Sequence, residues 1–213
     1  MIDDVADVDR IMTHLDDLDP DAVCIQAGGA CGVWPARLAL EFGQVLTFEP
    51  LASNLDCLRT NTADLANVTV FPGALGNPPP GELRFVTMEQ HQNEKHNAGS
   101  HQVAAVAELD PEARVPEDIA YLFGIDKHVL PDLSGPLAAI MLDVEGFEIP
   151  ALQGAERAID MYSPLIVVED KGLSTRYGHR KGDVEHWLRE RGYEVVDRIK
   201  RDVVLKRPSR GPA

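Results

Sequence analysis

The sequence predicts an α/β fold built on a mostly parallel, doubly wound sheet, and three observations carry that reading. Short apolar runs alternate with helix-like segments, the runs end in small or acidic residues, and the last two runs lie close enough to close as an antiparallel pair. The 213 residues make one domain, 1–213. A chain of this size buries about 70% of its unfolded surface. The 44% hydrophobic content is enough to fill such a core without disulfides.

Val5, Ile11, Met12 and Leu15 form a loose amphipathic stripe, which makes residues 1–19 a cap helix ending at the Asp19-Pro20 turn. Residues 22–27 are a strand, followed by a Gly-rich turn and a helix from Pro35 to about Phe42. A second strand at 45–48 ends in Glu49-Pro50, a helix capped by Ser53 reaches Thr62, and a third strand at 68–71 precedes Gly73. Two such crossovers imply parallel strands with a right-handed wind. Residues 76–136 interrupt the alternation, with a hairpin expected at 82–87 and an irregular insertion or lid over 88–135. The alternation resumes with a strand at 138–142, a helix at 148–161 and a strand at 165–168. A helix capped by Asp183 is stopped by Gly192, and 193–198 with 202–206 form the closing antiparallel pair.

Composition narrows the function. Twenty basic against 35 acidic residues give a net charge of −15, which argues against binding by phosphate neutralisation, so no nucleic-acid partner is expected. No apolar run reaches the 18 or so residues of a membrane span and the first residues are acidic, so a cytoplasmic protein with no membrane partner is expected. Cys24, Cys31 and Cys57 lack zinc-type spacing and read as reduced thiols.

In a doubly wound sheet the ligand lies at the carboxyl ends of the strands. Gly28, Gly29, Ala30 and Gly32 let a ligand approach backbone, and Glu49, 21 positions after Gly28, can accept hydrogen bonds from both hydroxyls of a ribose. Together they point to a nucleoside cofactor. Spacing alone leaves both dinucleotides and S-adenosylmethionine open, but Ala30 and Val33 stand where a dinucleotide fingerprint wants glycine. On this reading a Val in place of Gly28 abolishes binding and leaves the fold nearly intact. Asp143, Glu145, Glu148, Glu169 and Asp170 gather negative charge at one edge, suited to a sulfonium, a metal ion or a cationic acceptor.

Residues 25–32 (Ile-Gln-Ala-Gly-Gly-Ala-Cys-Gly), Thr47-Phe48-Glu49-Pro50, residues 141–148 (Met-Leu-Asp-Val-Glu-Gly-Phe-Glu) and Leu152-Gln153-Gly154-Ala155 resemble the FkbM family of class I methyltransferases. The resemblance covers about residues 20–170 and implies a Rossmann-like fold, S-adenosylmethionine as cofactor, and O-methylation of a saccharide or small-molecule acceptor. It places the methionine moiety at Gly28, Gly29 and Gly32 beside Ala27, the ribose at Glu49 and Pro50, and the adenine at Ala74 and Leu75. Two positions depart from the family. Gln26 replaces an acidic residue and can still accept a hydrogen bond from the cofactor ammonium through its amide oxygen, and Ala30 stands where asparagine is frequent.

The polar segment 89–101 carries His91, His96 and His101, which a lid could turn toward the site, and Asn97 with Gly99 echoes an Asn-x-Gly feature of the family. Asp143 is the first candidate for the base that removes the acceptor proton, with Glu145, His96 or His101 behind it. Asp143 also stands among the cofactor contacts. A divalent metal at the acidic edge is possible and not favoured. Lys171, Arg176, His179, Arg180 and Lys181 read as a solvated loop balancing the acidic edge, with contact to a phosphorylated or glycan acceptor as the alternative. The rival functions are a non-catalytic Rossmann-like nucleoside-binding module and a nucleic-acid methyltransferase.

Overall fold

A computed structural model describes residues 2–15, 17–79, 85–90, 101–107 and 119–208, the side chains of 2–4, 85, 89–90, 101–102 and 104–107 excepted. The chain opens with α1 (Ile2–Met12), β1 (Val23–Ala27), α2 (Val33–Leu38), β2 (Gln44–Glu49), α3 (Ala52–Thr62) and β3 (Val68–Leu75). It continues through β4 (Phe85–Gln90), β5 (His101–Ala107), β6 (Ile119–Phe123) and β7 (Leu137–Leu142). It ends with α4 (Glu148–Gln153), α5 (Glu156–Tyr162), β8 (Leu165–Glu169), α6 (Asp183–Glu190), β9 (Glu194–Ile199) and β10 (Asp202–Lys206).

These strands make one sheet in the order β5-β4-β6-β3-β2-β1-β7-β8-β10-β9. The strands from β3 through β8 in that order run parallel, and β10 is antiparallel to both β8 and β9. The expected closing pair is present. All five residues of β1 are buried, between β2 and β7, because strands covered on both faces have no solvent side to alternate toward. Alternation instead divides two cores. Ile140 and Leu142 pack with α4, α5 and α6, whereas Ala139 and Met141 pack under α1 and α2. Val8 and Ile11 hold α1 on that second face, where Arg10 donates to both oxygens of Asp197 and Lys200 pairs with Asp7 at 2.6 Å.

The structure departs from expectation at several elements. The insertion extends the sheet: β4 pairs antiparallel with β5 and β6, and β6 runs parallel to β3, so the hairpin joins 85–90 to 101–107 and not 82 to 87. Helix α2 begins at Val33 and ends at Leu38 instead of running on to Phe42, with Asn67 Nδ2 donating to the carbonyls of Ala39 and Phe42. Ser53 does not cap α3, whose preceding residue is Leu51, with the Leu51 N–H given to Glu49. Residues 148–161 form two helices, because Gly154 approaches Gly76 so closely that a Cβ there would lie 1.9 Å from the Gly76 oxygen. Asp183 lies inside α6 after Gly182, and its carboxylate accepts the Arg180 N–H. Among the described residues no helix is long and apolar enough to cross a membrane.

Candidate active site

The carboxyl ends of β1, β2, β3 and β7 surround one cleft of about 630 Å³, counted with its open mouth. At the end of β1, Gly28 has φ +85°, and its N–H and that of Gly29 both donate to the Phe48 carbonyl at 3.0 Å. A Cβ on Gly28 would lie 2.0 Å from the Asp143 oxygen. The glycine is therefore first a condition for β1 and β7 to lie side by side, and the expectation that a side chain there would spare the fold is overturned. Ala30 also takes a left-handed conformation, φ +43°, and donates its N–H to Glu49 Oε2 at 2.7 Å.

Glu49 is 3% exposed. Its Oε1 accepts the Leu51 N–H at 3.0 Å and Asn54 Nδ2 at 3.2 Å, so one carboxylate ties the glycine loop to the start of α3 while forming part of the cleft wall. Next to it Leu51, Ala74, Leu75, Met88 and Val103 make an apolar end. No lysine or arginine lines the cleft among the described residues, and its ionisable lining is Glu49, Asp143 and Glu145.

Beyond the mouth stands a tight charge cluster. Lys171 Nζ lies 2.5 Å from Glu169, 3.0 Å from Glu145 and 3.8 Å from Asp143. The Asp143 side chain is 55% exposed while those of Glu145 and Glu169 are largely buried. Burial, reinforced by Asp143, pushes the Glu169 carboxyl up to about 9 against the pull of Lys171. Burial alone would lower the Lys171 pKa, but Asp143, Glu169 and Glu145 outweigh it and hold the ammonium above its usual range. Glu148, 2% exposed, accepts the Gly146 N–H at 3.0 Å, and burial raises it to about 7. Oxygens of Asp143, Glu145 and Glu169 lie within 4.8 Å of one another, a spacing compatible with a cation, and the Lys171 ammonium is directed at the same three groups.

Of the residues singled out in the sequence, Ala27, Gly28, Ala30, Glu49, Pro50, Ala74, Leu75, Asp143 and Glu145 line the cleft. Gly29 and Gly32 are not in its lining and face Thr47 and α3, where small size permits close packing. Gln26 is 2% exposed, with its oxygen accepting from Thr47 at 2.5 Å and its amide nitrogen donating to the Ala27 and Gly28 carbonyls. Gln26 is not in the cleft lining, and the contacts its polar atoms make shape the loop. His91, His96, Asn97 and Gly99 lie outside the described residues; His101 opens β5, where only its backbone is described. Asp170 turns toward its own loop and accepts the Gly172 N–H.

Sequence reasoning missed Asn54, Met88, Val103 and Lys171. Lys171 was read as loop charge, although its place two residues after Glu169 at a strand end was a signal. Tyr177 closes this side by donating its hydroxyl to the Val103 carbonyl at 2.8 Å and meeting Phe147 edge-on.

Residues 36–195 match the methyltransferase FkbM domain. No protein of curated function matches the sequence. The fold is similar to a methyltransferase FkbM from Methylobacillus flagellatus, at 20% identity and TM-score 0.56, over 91% of this chain and 45% of that one. The chain thus spans under half the length of that relative. It is also similar to a Streptococcus mutans protein described as a methyltransferase and solved with S-adenosylhomocysteine (12% identity, TM-score 0.51, 95% and 94% covered). A Streptococcus thermophilus rRNA methylase is alike in the same way (12% identity, TM-score 0.50, 93% and 92% covered). At these identities the likeness is one of fold, the class I methyltransferase arrangement with antiparallel strands at its C-terminal edge. A family match across residues 36–195, on a sheet whose strand ends carry the glycine loop, Glu49 and the Asp143 cluster, makes this chain a member of the FkbM methyltransferase domain family.

Proposed function

We propose that this domain transfers a methyl group from S-adenosylmethionine to a hydroxyl of a saccharide or other small molecule. The observation that carries the reading is the cleft's lining, with carboxylates at Glu49, Asp143 and Glu145, an apolar end, and no basic side chain among the described residues. Such a wall suits a nucleoside that carries positive charge and no phosphate, and disfavours a pyrophosphate. The residues fit the cofactor on that ground: Leu51, Ala74, Leu75, Met88 and Val103 would enclose a base, and Glu49 would accept ribose hydroxyls. The bound cofactor supplies a methyl group on a cationic sulfur.

The chain's own part is to orient the acceptor and take its proton. Asp143, at the end of β7 and open to the mouth, is the base, held in place by its N–H on the Ala27 carbonyl. Lys171 offsets the charge of Asp143 and Glu145 and pairs with Glu169, and the net charge of −15 argues against a nucleic-acid acceptor.

Calorimetry with S-adenosylmethionine and S-adenosylhomocysteine, followed by labelled methyl transfer to panels of saccharides, hydroxylated small molecules and amines, tests this. Binding of both ligands and label on oxygen are expected, unaffected by chelator. Asp143→Asn should lower turnover by about a hundredfold or more while cofactor affinity stays within about threefold. Binding without transfer to any acceptor class would favour a nucleoside-binding module, and label on nitrogen would overturn the hydroxyl assignment.

A further inference from the structure

The glycine loop carries a second chemistry on its α3 side. Cys31 lies in that loop and Cys57 on α3, both partly buried and unbridged, whereas Cys24 is fully buried in β1. Loop and helix are in contact here: a Cβ on Gly32 would meet Leu58 Cδ1 at 3.1 Å and Asn61 Cβ at 3.5 Å. One amide nitrogen reaches both cysteines, with Asn61 Nδ2 donating to the Cys31 carbonyl at 2.7 Å and to Cys57 Sγ at 3.5 Å. The Cys57 side chain is the largest of the influences that hold the Cys31 thiol above its ordinary pKa, ahead of burial.

We propose that Cys31 and Cys57 are a redox modification site, at which oxidation forms a disulfide that ties the glycine loop to α3 and weakens nucleoside binding in the cleft. With a hydroperoxide as oxidant, one thiolate attacks the distal peroxide oxygen, the O–O bond breaks, and a sulfenic acid forms as the alcohol departs. The second thiol attacks that sulfur, an S–S bond forms, and the hydroxyl leaves as water. Two electrons pass from the thiols to the peroxide, so two thiols and one hydroperoxide give one disulfide, one alcohol and one water.

The bond reaches the cleft through a short path. Ala30, next to Cys31, lines the cleft, is held at φ +43° and gives its N–H to Glu49 at 2.7 Å. Bringing the two sulfurs to a bond of about 2.05 Å draws Cys31 toward α3 and strains that hydrogen bond. This second half of the proposal rests on the cofactor reading above.

The test uses the full chain, reduced and then treated with hydrogen peroxide. Thiol titration in denaturant should fall from three groups to one, with the loss of two hydrogens by mass, a peptide joining Cys31 to Cys57, and full reversal by dithiothreitol. The oxidised form should bind S-adenosylhomocysteine about fivefold or more weakly than the reduced form, and Cys57→Ser should lose that sensitivity. Sulfinic acid without a cross-link, or a cross-link between two chains, would overturn the site. Equal affinity in the two forms would overturn its coupling to the cleft. No binding by the reduced chain would count against the cofactor reading, while the mass measurement would still decide the disulfide.

Discussion

Single residues at the cleft do two things at once, and Glu49 shows it most directly. Its carboxylate anchors Ala30, Leu51 and Asn54 and is also part of the ligand wall. Glu49→Ala should therefore weaken S-adenosylhomocysteine binding about tenfold or more and also destabilise the fold by about 1–3 kcal/mol, since buried donors lose their acceptor. Calorimetry and urea unfolding on the same variant check both; a loss of affinity at unchanged stability would remove the anchoring role. Lys171 behaves as the cation of the mouth. Lys171→Met leaves Asp143, Glu145 and Glu169 facing one another and should lower both stability and turnover, with Lys171→Arg recovering more of each. Wild-type stability and activity in Lys171→Met would sink that role. Glu49 was legible in the sequence because it directly follows an apolar run. Lys171 was only half legible, since its place two residues after Glu169 was a signal but one of its partners, Glu145, comes from a turn 26 residues earlier.

At the scale of elements, β1, β2, β7 and β8 were readable because their runs are buried on both faces, and the helix ends were not, because groups that end them lie far away in the sequence. Residues 148–161 carry one continuous helical pattern, yet the helix restarts at Glu156. Asp126, in the turn after β6, accepts the N–H groups of Arg157 and Ala158 at 2.7 and 2.9 Å and so caps α5 from 31 residues away. Asp126→Ala should cost about 1 kcal/mol, or a Tm lower by about 2–4 °C, and an unchanged Tm would deny the cap. Gly28 belongs at this scale as well, because its size lets β1 approach β7. Gly28→Ala should lower Tm by about 5 °C or more even with no ligand present, from left-handed strain and the contact with the Asp143 carbonyl. A ligand-free Tm equal to wild type would return Gly28 to a purely ligand-facing role.

Across the whole molecule, parallel strands bring their carboxyl ends, and with them the acidic residues, to one edge, so several carboxyls are held where charge is costly. Burial raises Glu148 and Asp202 to about 7 and Glu169 to about 9, with Asp143 adding to each shift. A carboxyl that binds its proton more tightly when folded stabilises the fold below its unfolded pKa, near 4, and loses that contribution as pH rises through the folded value. Asp197 has the opposite sign. Arg10 and His14 lower it to about 2, so its contribution is present above its unfolded pKa and is lost as pH falls toward 2. Mild acid also reduces the self-repulsion of a chain with net charge −15. Thermal unfolding should therefore give a higher Tm near pH 5.5 than near pH 8.5, with a second decline below about pH 3. Glu148→Gln keeps an acceptor for the Gly146 N–H and removes one titrating group, so it should flatten the fall between pH 5.5 and 8. A Tm that rises toward pH 8.5, or a slope unchanged in Glu148→Gln, would mean that the buried carboxyls of this edge are ionised at no cost to the fold.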